Sequence, residues 1–449
     1  MTRKILISSP VRQKPAILER FLESLAALHV YDLQISCRFI DDNTNSDSSE
    51  SLRQFSPREW LDVTIVPYEG PSPVVVELEE ARHNWKEEIV WKVAAMKDGI
   101  LAYAMEAGFD HVFLVDSDLV LHPETLKQLV DTGKDIVSTI YWTRWQPDTL
   151  AMPQVWLHGE YELHPLERNI QLSERERRRQ VEQFIYKLRQ PGLYEVGGLG
   201  ACTLISRKAL LAGVRFAEIK SLTYWGEDRH FCLRAAALGF DLFVETTYPA
   251  YHIYRDDDLE GVEMYYLGES EIARPLPDGD ESDLYGQAQR LLSYGYEELA
   301  IDHLERFIAQ GSGSQLERVD ACLLVDAYYG RNGLADKGQT MLLNVSHTLQ
   351  RAEIFCRLGA KCMDEEKWNE AIVWFKLALQ AERPDDWEAS TDSTSWTWKP
   401  HIQLCVCYSR LGQLQLAYEH NEKGMMFDAG NSSMLYNREY LRSLLEPTV

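Results

Sequence analysis

Two carboxylates separated by a single residue, Asp116 and Asp118, are the first candidates for chemistry in this chain. They close an apolar, β-branched run from Val112 to Val115 inside the stretch FDHVFLVDSDLVL. Such a run suits a strand buried on both faces. Ligands of open α/β sheets bind in the crevice beyond the carboxyl ends of the strands. Two acids placed there, with Ser117 between them, suit a hard divalent cation whose other ligands are phosphate oxygens. The plainer alternative is a strand-end turn with two solvated aspartates.

The surrounding pattern supplies elements to position these acids. Lys4 to Ser8 reads as a first strand, Ser9 to Arg12 as a turn, and Pro15 to Leu28 as a helix with apolar residues at period 3.6. Leu33 to Ile40 is a second strand ending in Asp41-Asp42-Asn43, and Val63 to Val66 a third. A helix over Glu87–Ala107 leads into the central strand, and Pro123 to Asp131 and Asp135 to Trp142 follow as helix and strand. Ser173 with Glu176 forms a capping box ahead of an Arg-rich helix that reads as a solvated face or a mobile lid. Gly197, Gly198 and Gly200 permit a tight backbone before a strand at Ala201 to Ile205. Glu227-Asp228 opens a helix ending near Leu238, and Leu242 to Ile253 carries His252. Alternation of strands and helices indicates an α/β fold with a mixed, mostly parallel, Rossmann-like sheet over residues 1–256.

The acidic end of the second strand, the Asp-x-Asp, the Glu-Asp pair and then a His, in that order, resemble the nucleotide-binding GT-A fold of family 2 glycosyltransferases. The resemblance covers about residues 3 to 256. It implies that Pro10, Arg12 and Asp42 or Asp41 contact the nucleoside, and that Asp116, Ser117 and Gly198 line the donor site. Asp116, Asp118 and His252 would hold a divalent metal, Mn2+ or Mg2+, with UDP the favoured nucleotide. Asp228 would be the general base of an inverting transfer, oriented by Glu227. Lys97 stands where that family often carries an Arg-Asn pair, which makes it a phosphate partner only by replacement. Each residue also has a bland reading. Asp41-Asp42-Asn43 makes an Asx-turn, Arg12 a solvated turn residue, Glu227-Asp228 a dipole-favoured helix start, and His252 a structural histidine. Trp142, Trp145 and Trp156 suit sugar faces or simply the core.

Residues 257–282, broken by Pro275, Pro277 and Gly279, read as a linker. Residues 283–449 read as an all-α, tetratricopeptide-like repeat. Small residues recur at Ala300, Ala371 and Ala417, each twelve residues after Ala288, Gly359 and Cys405. A further unit, Leu324 to Met341, keeps Tyr328 but puts Lys337 at the small position, and so reads as degenerate. Glu388 to Lys399 reads as an insertion.

A formal net charge of -24 argues against nucleic acid or an anionic membrane as main partner. No eighteen-residue apolar run occurs, the N-terminus does not read as a signal peptide, and eight cysteines lack a CxxC pair. The expected protein is cytoplasmic, with a nucleotide-sugar donor and a peptide, protein or glycan acceptor. The helical tail would dock the acceptor or mediate homo-oligomerisation. The competing expectations are a retaining enzyme and a non-catalytic nucleotide-sugar-binding or repeat-mediated interaction protein.

Overall fold

The computed structural model describes residues 2–70, 87–146, 149–166, 168–270 and 283–445. The chain forms two compact units, Met1–Pro277 and Asp278–Val449. Among the described residues no helix is long and apolar enough to cross a membrane.

In the first unit, strand Arg3–Val11 is the axis of the sheet. It pairs in parallel with Leu33–Asp41 on one side and His111–Leu114 on the other. Leu33–Asp41 pairs in parallel with Asp62–Pro67. Ile5, Ile7, Ile35, Phe39 and Phe113 are fully buried in its core. Helix Pro15–Ala26 covers this half through Leu18, Phe21 and Leu25, as its periodicity requires. The stretch Ser9-Pro10-Val11, expected to turn, continues the strand instead, with Pro10 paired to Ile40 and Val11 to Asp41.

The other half departs from the mostly parallel expectation. Strand Thr203–Ser206 enters antiparallel to both His111–Leu114 and Ile136–Thr143. Strand Leu242–His252 then runs parallel to Ile136–Thr143 but antiparallel to Leu193–Val196. The sheet is therefore mixed. Buried apolar runs look alike in either direction, so strand direction is not written in them.

The strand Leu242–His252 breaks register with Ile136–Thr143 between Glu245 and Ala250. The Thr139 hydroxyl donates to the Tyr248 carbonyl across this irregularity, at 2.8 Å. Pro249 has no N–H for the ladder. Past the bulge the strand turns onto the short strand Leu119–Val120, pairing Tyr251 with Val120 and His252 with Leu119. Bulges commonly re-aim a side chain in this way.

The expected linker begins late. Residues Asp256–Gly261 form a 3-10 turn and Val262–Tyr266 a short helix. Val262 and Tyr265 are buried against Ile17, Val120 and Tyr251, so this segment belongs to the first unit. The remainder of the expected linker, 271–282, lies outside the described residues.

The second unit is a series of antiparallel helix pairs: Leu284–Ser293 with Glu297–Gln310, Gln315–Arg331 with Ala335–Ser346, Ala352–Asp364 with Trp368–Gln380, and Lys399–Arg410 with Leu414–Met425. Helix Ser432–Leu445 packs on the last of these. The repeat is tetratricopeptide-like. Ala300, Ala371 and Ala417 occupy the fourth position of the second helix in their pairs and are fully buried. The fourth position of Ala335–Ser346 is Gly338, also buried, while Lys337 beside it is exposed. The small residue of the second pair therefore lies one position later than expected.

Glycines in this unit separate two effects. Gly359 lies under the Phe375 ring, where an added Cβ would come within 2.7 Å. Gly330 sits inside helix Gln315–Arg331 with nothing within 4 Å of an added Cβ. Gly359→Val should lower the urea midpoint by overpacking, at a cost of about 1–3 kcal/mol. Gly330→Ala should raise it by roughly 0.5–1 kcal/mol through helix propensity. Equal effects at the two positions would contradict the close contact at Gly359.

Candidate functional site

The site begins with one lysine. Helix Glu87–Ala107 buries a stripe of Val90, Ala94, Lys97, Leu101 and Ala104, at spacings of four, three, four and three. Lys97 therefore stands in a core position. Its side chain is 3% exposed, and its ammonium donates to Glu227 Oε1 at 2.9 Å and Asp228 Oδ1 at 3.1 Å. Those acids open helix Glu227–Ala237, whose N-cap Gly226 takes φ 101, a conformation that favours glycine. The helix dipole favours both acids there, so the bland reading and the chemical reading share one geometry.

Burial opposes the charge on Lys97, but Asp228, Glu227 and Asp116 outweigh it and hold the ammonium well above its ordinary range. Burial pushes the Asp228 carboxyl up to about 7; Lys97 opposes this, while Glu227 and Asp116 add to it. Burial also raises Asp116, with Lys97 opposing and Asp118 adding to the rise. Tyr141 is raised well above its usual range by burial and by Asp116, Asp228 and Asp118, so its hydroxyl remains a donor. Cys202, at φ 72 and buried, feels Asp116 as well. A non-glycine residue in that region is strained, and such strain tends to gather at functional sites.

The strand past the bulge brings His252 to Asp118, with Nε2 3.6 Å from Oδ2. The opposite nitrogen, Nδ1, shares a 2.8 Å hydrogen bond with the Thr143 hydroxyl, which fixes the ring. Tyr141 meets the imidazole edge-on at 5.4 Å. The expected three-ligand metal set is not assembled: among the described residues no group of three or more His, Cys, Asp or Glu converges as a metal cage. Asp118 and His252 come together, and Asp116 stands with Lys97 and the acids of the other helix electrostatically. Even so, three carboxylates, Glu227, Asp228 and Asp116, around one buried lysine leave the cluster short of positive charge. One carboxylate and one imidazole fit a cation that keeps water and phosphate oxygens as its remaining ligands.

The end of the second strand separates its two aspartates. Asp41 Oδ1 accepts from Asn43 N at 3.1 Å, Asn43 Nδ2 at 2.8 Å and Ser49 Oγ at 3.0 Å, so it closes an Asx-turn. Asp42 instead takes the Lys92 ammonium on both oxygens at 2.7 Å, with Arg12 at 3.9 Å. Lys92 also lies 4.2 Å from the centre of the Tyr68 ring. Pro10 and Arg12 reach this corner because the first two strands pair in register.

Two of the residues expected at the donor have protein neighbours of their own. Lys97 is buried, and its ammonium donates to Glu227 and Asp228. Gly198 lies beneath the Trp156 ring, where any Cβ would overlap it. Ser117 is buried between the two aspartates. Of the tryptophans, Trp142 and Trp156 are core, and Trp145 is 47% exposed beside Tyr254. Lys92, Thr143 and Tyr141 join the site without having been expected there. The clearest signal in the sequence was a lysine at a core spacing, in the case of Lys97; Thr143 and Tyr141 show only as polar groups at a strand end.

No family model matches the chain, and no curated protein matches it. Similar solved structures include a MamA crystal structure, 16% identical over 38% of this chain and 86% of that one, TM-score 0.28. MamA from Desulfovibrio magneticus RS-1 is 15% identical, covering 37% and 86%, TM-score 0.29. A thermophilic TPR protein of Thermus thermophilus is 18% identical, covering 42% and 96%, TM-score 0.27. The family 2, GT-A membership expected from the motifs is therefore corrected: no family model supports it. Asp-x-Asp and Glu-Asp are short strings that other strand ends and helix starts also produce.

Lys97→Met would leave buried Glu227 and half-buried Asp228 without their cation, a loss of about 2–4 kcal/mol at pH 8. The Asp228 carboxyl is held above its unfolded value, so the fold favours its protonated form and the wild type loses stability as pH rises from about 4 to about 7. The variant should therefore be closer to wild type at pH 5 than at pH 8 in urea melts. An equal deficit at both would mean that the lysine matters only for packing.

Proposed function

We propose that the first unit is a group-transfer enzyme that moves a sugar from a nucleoside-diphosphate donor to an acceptor hydroxyl or other nucleophile. The observation that carries this reading is the pairing of a carboxylate at about 7, Asp228, with a charge-deficient cluster at the carboxyl ends of parallel strands. A base with a value near neutrality suits proton removal from an acceptor. Asp228 takes the acceptor proton, the acceptor oxygen bonds to the anomeric carbon, and the bond from that carbon to the diphosphate oxygen breaks with inversion. Lys97 holds Asp228 in place and is itself anchored by Glu227. Asp118 and His252 would hold a divalent cation, Mn2+ or Mg2+, which when bound neutralises the leaving diphosphate. Arg12, Asp42 and Lys92 form a polar corner suited to a nucleoside, with UDP the first candidate.

A second reading has its own observation. The helical unit contains cavities of about 450 Å³ and about 810 Å³ between its pairs. Repeat arrays of this type present binding surfaces. In this reading the chain is an interaction protein, and the helices serve a protein partner or a second copy. With the first reading intact, the same helices would hold a peptide or protein acceptor; a glycan acceptor would leave them structural.

Calorimetric titration of UDP and GDP, with and without Mn2+, separates the readings on wild type and Asp118→Ala. The expected result is Mn2+-dependent binding of one nucleotide, weakened at least tenfold in the variant. Absence of binding by either nucleotide under every condition would remove the transferase reading and leave the interaction protein.

A further inference from the structure

The second helix pair differs from its neighbours at the crossing of its helices. The residue twelve before the small position is Ala288, Gly359 and Cys405 in the other pairs; here it is Asp326, 1% exposed. Gly338 faces it, and a Cβ there would collide with Asp326 Oδ1. The chain thus places a carboxylate where a small residue belongs and removes a methyl opposite to admit it. An ionised group in such a position needs partners. They come from the next pair: Arg357 Nε donates to Oδ2 at 2.6 Å, and the Lys361 ammonium lies 2.8 Å from Oδ1. Oδ1 accepts no aligned hydrogen bond.

The geometry of the guanidinium gives this arrangement a direction. Asp326 engages Arg357 through Nε, which leaves the edge formed by the two Nη groups turned away from the buried acid. That edge matches the two oxygens of a carboxylate or phosphate. Arg357 is 43% exposed and lines, with Lys361, Arg331, Ala335 and Asp364, a cavity of about 450 Å³. Arg331 is already paired with Glu297 at 2.5 Å, and Asp364 is exposed on the rim, where water screens it. Around Asp326 itself one negative charge faces two positive ones.

We propose that this junction is an oxyanion-binding site, in which the Nη edge of Arg357 receives a carboxylate or phosphate group and Asp326 is the positioning residue that aims it. Lys361 supplies the second positive charge. The ligand is a free small oxyanion or an acidic side chain of a polypeptide, and the two share this chemistry.

The test is calorimetric titration of the full chain with inorganic phosphate and, separately, with hexaglutamate, at matched ionic strength. Arg357→Lys keeps the charge and loses the fork; it should bind about five- to tenfold more weakly. Asp326→Ala/Gly338→Ala rebuilds the alanine crossing of the first pair, so it should keep its helical signal and melting temperature while binding at least tenfold more weakly. Phosphate bound in the first unit would be unchanged by either variant, so the difference from wild type is the reading. Tighter binding of hexaglutamate than phosphate would identify a polypeptide ligand, and equal binding a small anion. Wild-type affinity in both variants, or no binding of either probe to wild type, would overturn the proposal.

Discussion

The ammonium of Lys97 is the constraint around which the first unit is built. It occupies a core position on its helix, within reach of two acids on another helix and in the field of Asp116. Moving an ammonium from water into such a place is costly unless partners compensate, and a hydrophobic replacement of all partners is often as stable. The cluster is therefore poor economy for folding alone. What it does achieve is orientation: Asp228 is held between a cation that favours its charge and two carboxylates that oppose it. A carboxyl near 7 is the outcome of that balance.

The same physics operates in the helical unit. Asp326 is as buried as Lys97, of opposite sign, and likewise meets two partners from a neighbouring helix. Its room is made by a glycine, whereas Lys97 gets its room from helix spacing. Arg351 and Glu353 form a third buried pair, with Asp386 on the solvent side. Apolar packing of Ala371, Phe375 and Leu404 holds the array together, and the buried charges mark where it departs from uniform packing.

Much of the architecture could be read from residue pattern. Apolar, β-branched runs placed the strands and period-3.6 runs the helices, Ser173 with Glu176 announced its capping box, and three alanines set the repeat. Strand direction at Thr203–Ser206 could not be read, because an apolar run carries no polarity. The Gly338 register was hidden for a different reason. Lys337 stands at the offset the other pairs suggest, while the glycine answers to Asp326, twelve residues earlier, and that link shows only when the helices cross. At the site, Asp116, Asp118, Asp228 and His252 were visible as residue types. Their grouping into a Lys97 cluster and a separate Asp118–His252 pair depends on a bulge between Glu245 and Ala250 that no local motif announces.

This division bears on how the motifs should be weighed. An Asp-x-Asp closes a strand and a Glu-Asp starts a helix for reasons of turn chemistry and dipole alone, so their order along a chain does not establish kinship. Geometry adds what the strings lack. If the acids were only caps, burial and mutual repulsion would be avoided by turning them to solvent. Asp116 and Asp228 instead stay half-buried: burial raises both, Asp118 and Glu227 add to the rise at Asp116, and Glu227 and Asp116 to that at Asp228, with a single lysine among them. Perturbed carboxyls grouped around one lysine are what functional sites tend to gather, and that is an argument for a site independent of any family to which the chain is compared.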